Sequence, residues 1–494
     1  MNTMVEQDPD IVRSFLSDAA HMPGGEASGV VFPRTTGELA AYLLAAPHVL
    51  AIGAQSSLTG GATPRGDLVL STREFTDISL EGEFVHVGAG VTLHALQAWL
   101  SVRGLWYPPA PTFDGAFVGG TIATNAAGAA TFKYGTTRQW VEGLEVVLAD
   151  GTVHRISRGD VIARGFTFEV PSAHGILSVP VPRYSMPRVP KLSAGYWAHE
   201  QMDLVDLFVG SEGTLGVITA ATLRVRPRPR QMVALITCVS DSQALRITSS
   251  LRTQAQDTWR GHGVLDVAAI EYMDGRSLGF VSDAVLTAAG VSRPPRDGSL
   301  LLVQLEVDTD EGPSVEALAT LIEQESVTQE PAVALPGDLS AAGRMFALRE
   351  AVPSGVNAAV AAHKARYPNV HKLAGDFIVP YDQLPASIAH YRAAFESRGL
   401  DYAIWGHISD GNLHPNVIPH APADLNAGTE ALLELSRRVI AAGGSPMAEH
   451  GVGRSALKQR MLRDLYGDAG LDEMRAVKRA LDPTFKLARG VLFS

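Results

Sequence analysis

Short apolar runs alternate with amphipathic stretches from the first hundred residues onward. RTTGELAAYLLAA carries apolar residues at helical spacing, and Thr35 with Glu38 forms the Thr-x-x-Glu capping box that opens a helix. The VLAI that follows predicts a short strand ending in a Gly/Ser/Thr loop, and residues 68–70 and 84–87 predict two more strands. GLEVVLA and TVHRI flank Asp150-Gly151, the pattern of a β-hairpin. From about Val161 to Ala194 the pattern breaks into a proline-punctuated stretch, VPSAHGILSVPVPRYSMPRVPKLSAG, which reads as an excursion and not as an element.

Arg224 to Arg230 spell RVRPRPR, and prolines at alternate positions suit neither a central strand nor a helix interior, so the main domain boundary is placed there. Beyond it LITCV and LLVQLEV alternate with helical stretches such as SVEALATLIEQ, which predicts an α+β domain with an antiparallel sheet. From about Ala456 the chain is helix-rich. The expected division is 1–228, 229–455 and a C-terminal helical segment, 456–494, that closes the active site.

Composition narrows the class. A chain of 494 residues exceeds what one core supports, and 46% hydrophobic with 19% charged residues is a globular mixture with no apolar run long enough to span a membrane. A net charge of -11 repels phosphate backbones, and the arginines at 224–230 are interleaved with prolines and Val225, so no nucleic-acid partner is expected. Cys238 is the sole cysteine, which excludes an intramolecular disulfide, a C-x-x-C pair and a cysteine-ligated iron–sulfur cluster. Redox chemistry here needs an organic cofactor. The opening MNTMVEQDPD is acidic where a targeting signal is basic, so the expectation is a cytoplasmic protein, with attachment to a membrane surface left open.

Two loops are dense in small residues: GAQSSLTGGATPRG from Gly53 and GAFVGGTIATNAAGAA from Gly115. Backbone N–H groups in such loops can surround an anionic pyrophosphate with no Cβ in the way, although either loop alone reads equally well as surface turns. Neither fits the Rossmann fingerprint, and VGAGVTL, with Gly88 and Gly90, lacks the third glycine, which disfavours a nicotinamide site.

In YAIWGHISDGNLHPNVIP, Asp410-Gly411 between apolar runs predicts a two-residue hairpin. That register pairs Ser409 with Asn412, Ile408 with Leu413 and His407 with His414, and puts Asn416 on the face of the two histidines. Facing imidazoles form half of a divalent-metal site; the competing reading is a pair of partly exposed histidines on an edge hairpin. Glu449 and His450 lie between Gly443-Gly444 and Gly451-Val452-Gly453, and a carboxylate added to two histidines completes the set common in open catalytic metal sites.

SSLTGGATP, VGGTIATNAAGAATFKYGTTRQWVEGLEVVLADG, DLFVGSEGTLGVITAATLRVRPRP, GHISDGNLHPN and AEHGVG together carry a resemblance that spans nearly the whole chain. The chain resembles the flavin oxidoreductases of the vanillyl-alcohol-oxidase superfamily, in the branch of D-lactate dehydrogenases, the glycolate oxidase catalytic subunit and D-2-hydroxyglutarate dehydrogenases. The resemblance implies an α+β fold: a two-subdomain FAD-binding domain of PCMH type, then an α+β substrate domain holding the metal. It implies FAD diphosphate contacts along Gly53, Ala54, Gln55, Ser56, Ser57, Gly60 and Gly61. Gly119, Gly120, Thr121, Ala123, Thr124, Asn125 and Gly128 would follow the ribityl chain and flavin ring, with Gly213 and Ile218 near the adenine half. The branch often has a run of glycines and a threonine where this chain has Gly53, Ala54, Gln55 and Ser56. Neither loop holds a histidine to tether the flavin, so FAD is expected to be noncovalent.

By the same resemblance His407, His414 and Glu449 are the metal ligands and His450 the base. Nitrogen ligands favour zinc, while an open site with one carboxylate tolerates manganese or iron; zinc or manganese is expected. Arg349 matches a carboxylate-clamping arginine, a role suited to a guanidinium, with Asn416 and Lys372 beside it and Lys364 as the alternative lysine. Ser409 replaces a usual glycine, and Met447-Ala448 a common Ser-Gly. The expected activity is oxidation of a small D-2-hydroxy acid, with electrons passing to a quinone, a cytochrome, an electron-transfer flavoprotein or oxygen; a homodimer is compatible with the sequence. Two rivals stand beside it: an alkylglycerone-phosphate-synthase-like transferase, which typically has a run of histidines near the position of AEHG, and a non-catalytic FAD subunit.

Overall fold

The computed structural model describes residues 5–109, 111 and 113–493; the first four residues of the acidic N-terminus lie outside the described residues. Near the N-terminus Arg65–Ser71 lies between Glu26–Val31 and Val49–Ile52, parallel to both. The helix Thr36–Ala45 connects the outer two, burying Leu39, Tyr42 and Leu43. Its cap differs from the expected box. Thr35 Oγ1 accepts from Glu38 N at 3.2 Å, but the Glu38 carboxylate accepts from Arg34 N at 2.8 Å, one residue beyond the cap. Between the parallel neighbours Val49–Ile52 and Arg65–Ser71 no helix intervenes; the connection is the glycine-rich segment 53–64, which passes across the strand ends.

A five-stranded antiparallel sheet follows, in the order Ile78–Glu81, Phe84–Gly88, Val217–Arg224, Val141–Val147, Val153–Ser157. The last two are the hairpin around Asp150-Gly151, with Val147 paired to Val153. The proline-punctuated stretch is not featureless: Thr167–Ser172 and Gly175–Pro180 form a two-stranded hairpin inside it. Within RVRPRPR, Arg226–Pro227 pairs with Leu105–Trp106, and the strand Arg230–Cys238 then enters the second sheet.

That sheet has eight strands, with Ala332–Ala334, Arg230–Cys238, Ser299–Val307, Asp266–Asp274, Tyr402–His407 and Asn412–Val417 in sequence across it. Leu373–Ala374 and Phe377–Ile378 both pair with the last, and all pairs are antiparallel. Both faces are buried. Met232, Ala234 and Ile236 face the core that is continuous with the first domain, whereas Val233, Leu235, Met273 and Trp405 face a second cluster under the helix Leu339–Arg366. The helical region Ala456–Leu481, broken at Gly467, leads to a tail that returns to the first sheet, where Leu487 bridges to Val49. Among the described residues no helix is long and apolar enough to cross a membrane.

Candidate active site

The two small-residue loops and the Gly213 turn line one cleft. Gly53, Ala54, Gln55, Ser56, Ser57 and Gly61 form one wall, Gly119, Gly120, Thr121, Ala123 and Thr124 another, and Gly213 and Ile218 close the end. Apart from chain neighbours and the backbone of Gly120's own helix, no heavy atom of the described residues lies within 4 Å of the Cβ position of Gly120 or Gly213, so the wall there is bare backbone, suited to a flat or anionic cofactor. At Gly119 a Cβ would sit 2.7 Å from Ala89 Cβ, which explains that glycine by packing. Three expected residues do not line the cleft. Gly60, at φ +76°, packs on Met22; Asn125 is buried, accepting from Arg138 N at 3.0 Å and donating to Leu192 O at 3.2 Å; Gly128 donates to Thr131 Oγ1. Gln55 lines the cleft through its backbone, because its amide donates to Ser14 O and Ser17 O at 2.9 and 2.8 Å.

Glu449 and His450 also line this cleft, so the second domain's polar cluster opens onto it. The histidine hairpin has a different register from the one expected. Residues 408–410 form a 3₁₀ turn closed by Gly411 at φ +83°, and the pairs are His407 with Asn412 and Trp405 with His414. The shift is by two residues, which preserves the face: His407, His414 and Asn416 still share one side. The two imidazoles are therefore diagonal, with ring centroids 5.6 Å apart and planes at 88°.

Three imidazole nitrogens converge on one carboxylate oxygen. Glu449 Oε1 is 3.3 Å from His407 Nε2, 3.3 Å from His414 Nε2 and 3.5 Å from His450 Nε2. His414 and His450 stack at 5.1 Å. The other oxygen of Glu449 is held by Lys191 Nζ at 3.0 Å, and Lys191, fully buried, also pairs with Asp410 at 3.2 Å. Burial opposes every charge here, yet the Asp410 and Glu449 carboxylates raise Lys191, and Lys191 and His407 hold Glu449 well below the usual carboxylate range. Burial lowers His414 to about 4, whereas the Glu271 carboxylate overcomes burial and raises His407 to about 9.

The loop bearing Glu449 and His450 is gripped by two carboxylates, the buried Asp376 and the part-buried Glu212. Asp376 Oδ2 accepts from the N–H groups of Ala448, Glu449 and His450 at 3.1, 2.9 and 2.9 Å. From the first domain, Glu212 accepts from Val452 N and Gly453 N at 2.9 and 2.8 Å. Lys458 Nζ makes no hydrogen bond to the described residues and lies 3.8 Å from Asp376, a buried cation behind the loop. Asp376, His414, Glu449 and His450 all offer a ligand atom within 4.8 Å of one another.

Arg349 sits on the helix Leu339–Arg366 and is buried, its Nε donating to Glu271; the same carboxylate accepts from His407 Nδ1. Lys372 lies over the Trp405 ring at 5.9 Å, on the histidine side of the sheet, and burial lowers it to about 8. Lys364 is exposed in the last turn of its helix and is not brought to the cluster. Asn416 is buried and donates to His414 O at 2.6 Å. Sequence reasoning missed Glu271, Asp376 as a loop clamp, Lys191 and Glu212. A usable signal existed for Glu271: it interrupts the apolar strand VAAIEYMD, where a buried charge requires a partner.

A bare-backbone cleft facing a cluster of titratable groups defines a cofactor-dependent enzyme, and its architecture is that of a flavoprotein. The chain matches the FAD binding domain family over residues 27–157 and the FAD linked oxidases, C-terminal domain family over residues 251–492. It belongs to the FAD-linked oxidases, with a fold of the vanillyl-alcohol-oxidase type, and is an FAD-linked oxidoreductase. Among its relatives, "Probable D-lactate dehydrogenase, mitochondrial" of Danio rerio is 30% identical, covering 92% of this chain and 82% of the relative. Glycolate oxidase subunit GlcD of Bacillus subtilis is 29% identical over 94% of this chain and 88% of its own length. D-2-hydroxyglutarate dehydrogenase of Xanthomonas citri is 30% identical over 90% and 84%. A solved alkyldihydroxyacetonephosphate synthase shares the fold, at a TM-score of 0.66 and 13% identity, over 99% of this chain and 82% of that one.

Proposed function

We propose that the enzyme oxidises a small D-2-hydroxy acid, of the D-lactate, glycolate or D-2-hydroxyglutarate class, to the 2-oxo acid. The observation that carries this is the convergence of three imidazole nitrogens on Glu449 Oε1 at the wall of the flavin cleft. His407, His414 and Glu449 are the ligands of a divalent ion, zinc or manganese. Asp376 is set aside because its Oδ2 already accepts three backbone N–H groups. His450 is assigned as the base, since its side chain is 25% exposed against 3% and 7% for His407 and His414.

When bound, noncovalent FAD supplies the two-electron acceptor for the hydride leaving Cα, and the divalent ion supplies Lewis-acid polarisation of the substrate hydroxyl. His450 accepts the hydroxyl proton. Arg349 receives the carboxylate on its terminal nitrogens, which make no hydrogen bond to the described residues, and Lys372, over the Trp405 ring, adds a second cation, with Asn416 as a further substrate contact. Asp376 and Glu212 hold His450 against the cleft. The division at residues 228 and 455 belongs to the same reading, supported by the entry of Arg230–Cys238 into the second sheet and by Ala456 opening the last helical region.

The test is anaerobic. The purified yellow protein should release FAD on acid or heat treatment, and its flavin should bleach with one or more of D-lactate, glycolate and D-2-hydroxyglutarate. A chelator should abolish bleaching without altering the flavin spectrum, and readdition of zinc or manganese should restore it. His450→Ala should keep its metal while reduction slows by roughly a hundredfold to ten-thousandfold. Loss of metal from that variant would make His450 a ligand, and indifference to chelation would end the metal-assisted reading.

A further inference from the structure

Glu271 stands near the middle of the eight-stranded sheet, on the strand Asp266–Asp274, directly opposite His407 of the neighbouring strand. Its carboxylate is buried. The two oxygens are divided between two N–H donors. Oε1 accepts from His407 Nδ1, and Oε2 accepts from Arg349 Nε. The first contact keeps a proton on Nδ1, which leaves Nε2, the nitrogen facing Glu449, as the one able to ligate. The second engages Arg349 Nε and leaves the two terminal nitrogens, which make no hydrogen bond to the described residues, for an incoming anion.

Resting on the reading that His407 is a metal ligand and Arg349 the carboxylate clamp, we propose that Glu271 is a positioning residue that joins the two. One carboxylate sets the tautomer of His407 and the aim of Arg349 together, so metal affinity and substrate affinity share a single support. A glutamine of the same shape cannot serve both. Its oxygen can accept from only one of the two N–H groups, and its amide then faces the other donor or, by donating to Nδ1, shifts His407 to the wrong tautomer.

The experiment compares the parent holoenzyme with Glu271→Gln, using zinc binding against a chromophoric chelator and the KM for D-lactate, glycolate and D-2-hydroxyglutarate in separate assays. FAD content and far-ultraviolet circular dichroism report whether the variant is folded. The expected result is a zinc dissociation constant raised by about tenfold to a hundredfold, together with a KM raised at least about tenfold. If the parent binds one ion and is reduced by substrate, but both constants in the variant stay within about twofold, or only one of them moves, the joint role is overturned and the site reading stands. A parent that binds no ion overturns the site reading and this inference with it. Should Glu271→Gln fail to fold, the parent loaded with zinc and ¹⁵N-labelled histidine decides, with His407 assigned by its loss in His407→Gln. A protonated Nδ1 with zinc on Nε2 supports the proposal, and the reverse arrangement refutes it.

Discussion

Replacing Asp376 with alanine should release the loop that carries Glu449 and His450 while leaving the flavin cleft formed. In the parent, one carboxylate oxygen accepts three consecutive backbone N–H groups at 2.9–3.1 Å, and the other accepts from Asn412 Nδ2 at 3.3 Å. Burial disfavours the charge, but His450 and Lys458 hold Asp376 below the usual carboxylate range, so these are charge-assisted bonds. Each such bond contributes about 1.5–3 kcal/mol. Three of them share one oxygen, and water can occupy the space alanine leaves, so the net loss falls near the cost of a bond and a half, about 3 kcal/mol. The effect is local, and global unfolding of a two-domain flavoprotein is a poor gauge of it. Hydrogen exchange of residues 446–453 is direct: 3 kcal/mol corresponds to exchange faster by roughly a hundredfold. Metal content should fall with it, and FAD content should not, because Gly53–Gly61 and Gly119–Thr124 make no use of Asp376. Asp376→Asn, which keeps an acceptor without the charge, should show about half the effect. Unchanged exchange in that segment, or a full complement of metal in Asp376→Ala, would refute the clamp.

Two further predictions concern pH. Burial places Lys372 at about 8, so if its cation draws the substrate carboxylate, KM should climb above about pH 8 by up to tenfold per unit, and Lys372→Met should have a raised KM at pH 7 and no such limb; a parental limb in the variant would assign it elsewhere. Glu212 is raised by burial to about 7, against an ordinary value of 4.5, so the folded state binds the extra proton between those limits. Its contribution to stability is complete below about pH 4.5 and is lost as pH rises through about 7, by at most about 3 kcal/mol. Glu212→Gln should therefore gain on the parent in denaturation midpoint between pH 5 and pH 8, and a constant difference across that range would show that Glu212 does not titrate there.

Much of the fold was legible because it rests on local periodicity. The strands over 49–52, 84–88, 230–238 and 299–307 are apolar runs that their flanking turns delimit. The hairpin Thr167–Pro180 was not, because Pro171 and Gly175 read as breakers. It survives because each strand has only one partner, which leaves an edge where a missing N–H costs nothing, and only Phe168, Val170 and Val179 need burial. The histidine hairpin shows the opposite case. Asp410-Gly411 predicts a two-residue turn, but Ile408, Ser409 and Asp410 form a buried 3₁₀ turn, Ser409 Oγ accepts from Ile270 N, and Asp410 meets Lys191. Tertiary partners lengthened the turn and moved the register by two residues. Because strand side chains alternate with a period of two, the histidines stayed on the expected face even though the expected pairs were wrong.

The candidate site divides in the same way between what a motif displays and what supports it. His407, His414, Glu449 and His450 stand in short glycine-flanked strings, and adjacency alone made them visible. Their supports come from separate parts of the chain: Lys191 from the proline-rich stretch, Glu212 from the turn before Gly213, Glu271 from a central strand, and Asp376 from between two short strands. No spacing rule links residues 191, 212, 271 and 376. Each is nonetheless a charge at a buried or cleft-lining position, which is costly unless paired. Glu271 and Lys191 carried that warning in the sequence, one inside VAAIEYMD and the other in a segment read as an excursion, where no burial was expected. Once the fold buries them, pairing is obligatory, and the partners available are His407, Arg349, Glu449 and Asp410. The first domain supplies Lys191 and Glu212 and the second supplies the imidazoles, so the site requires both domains to be in contact.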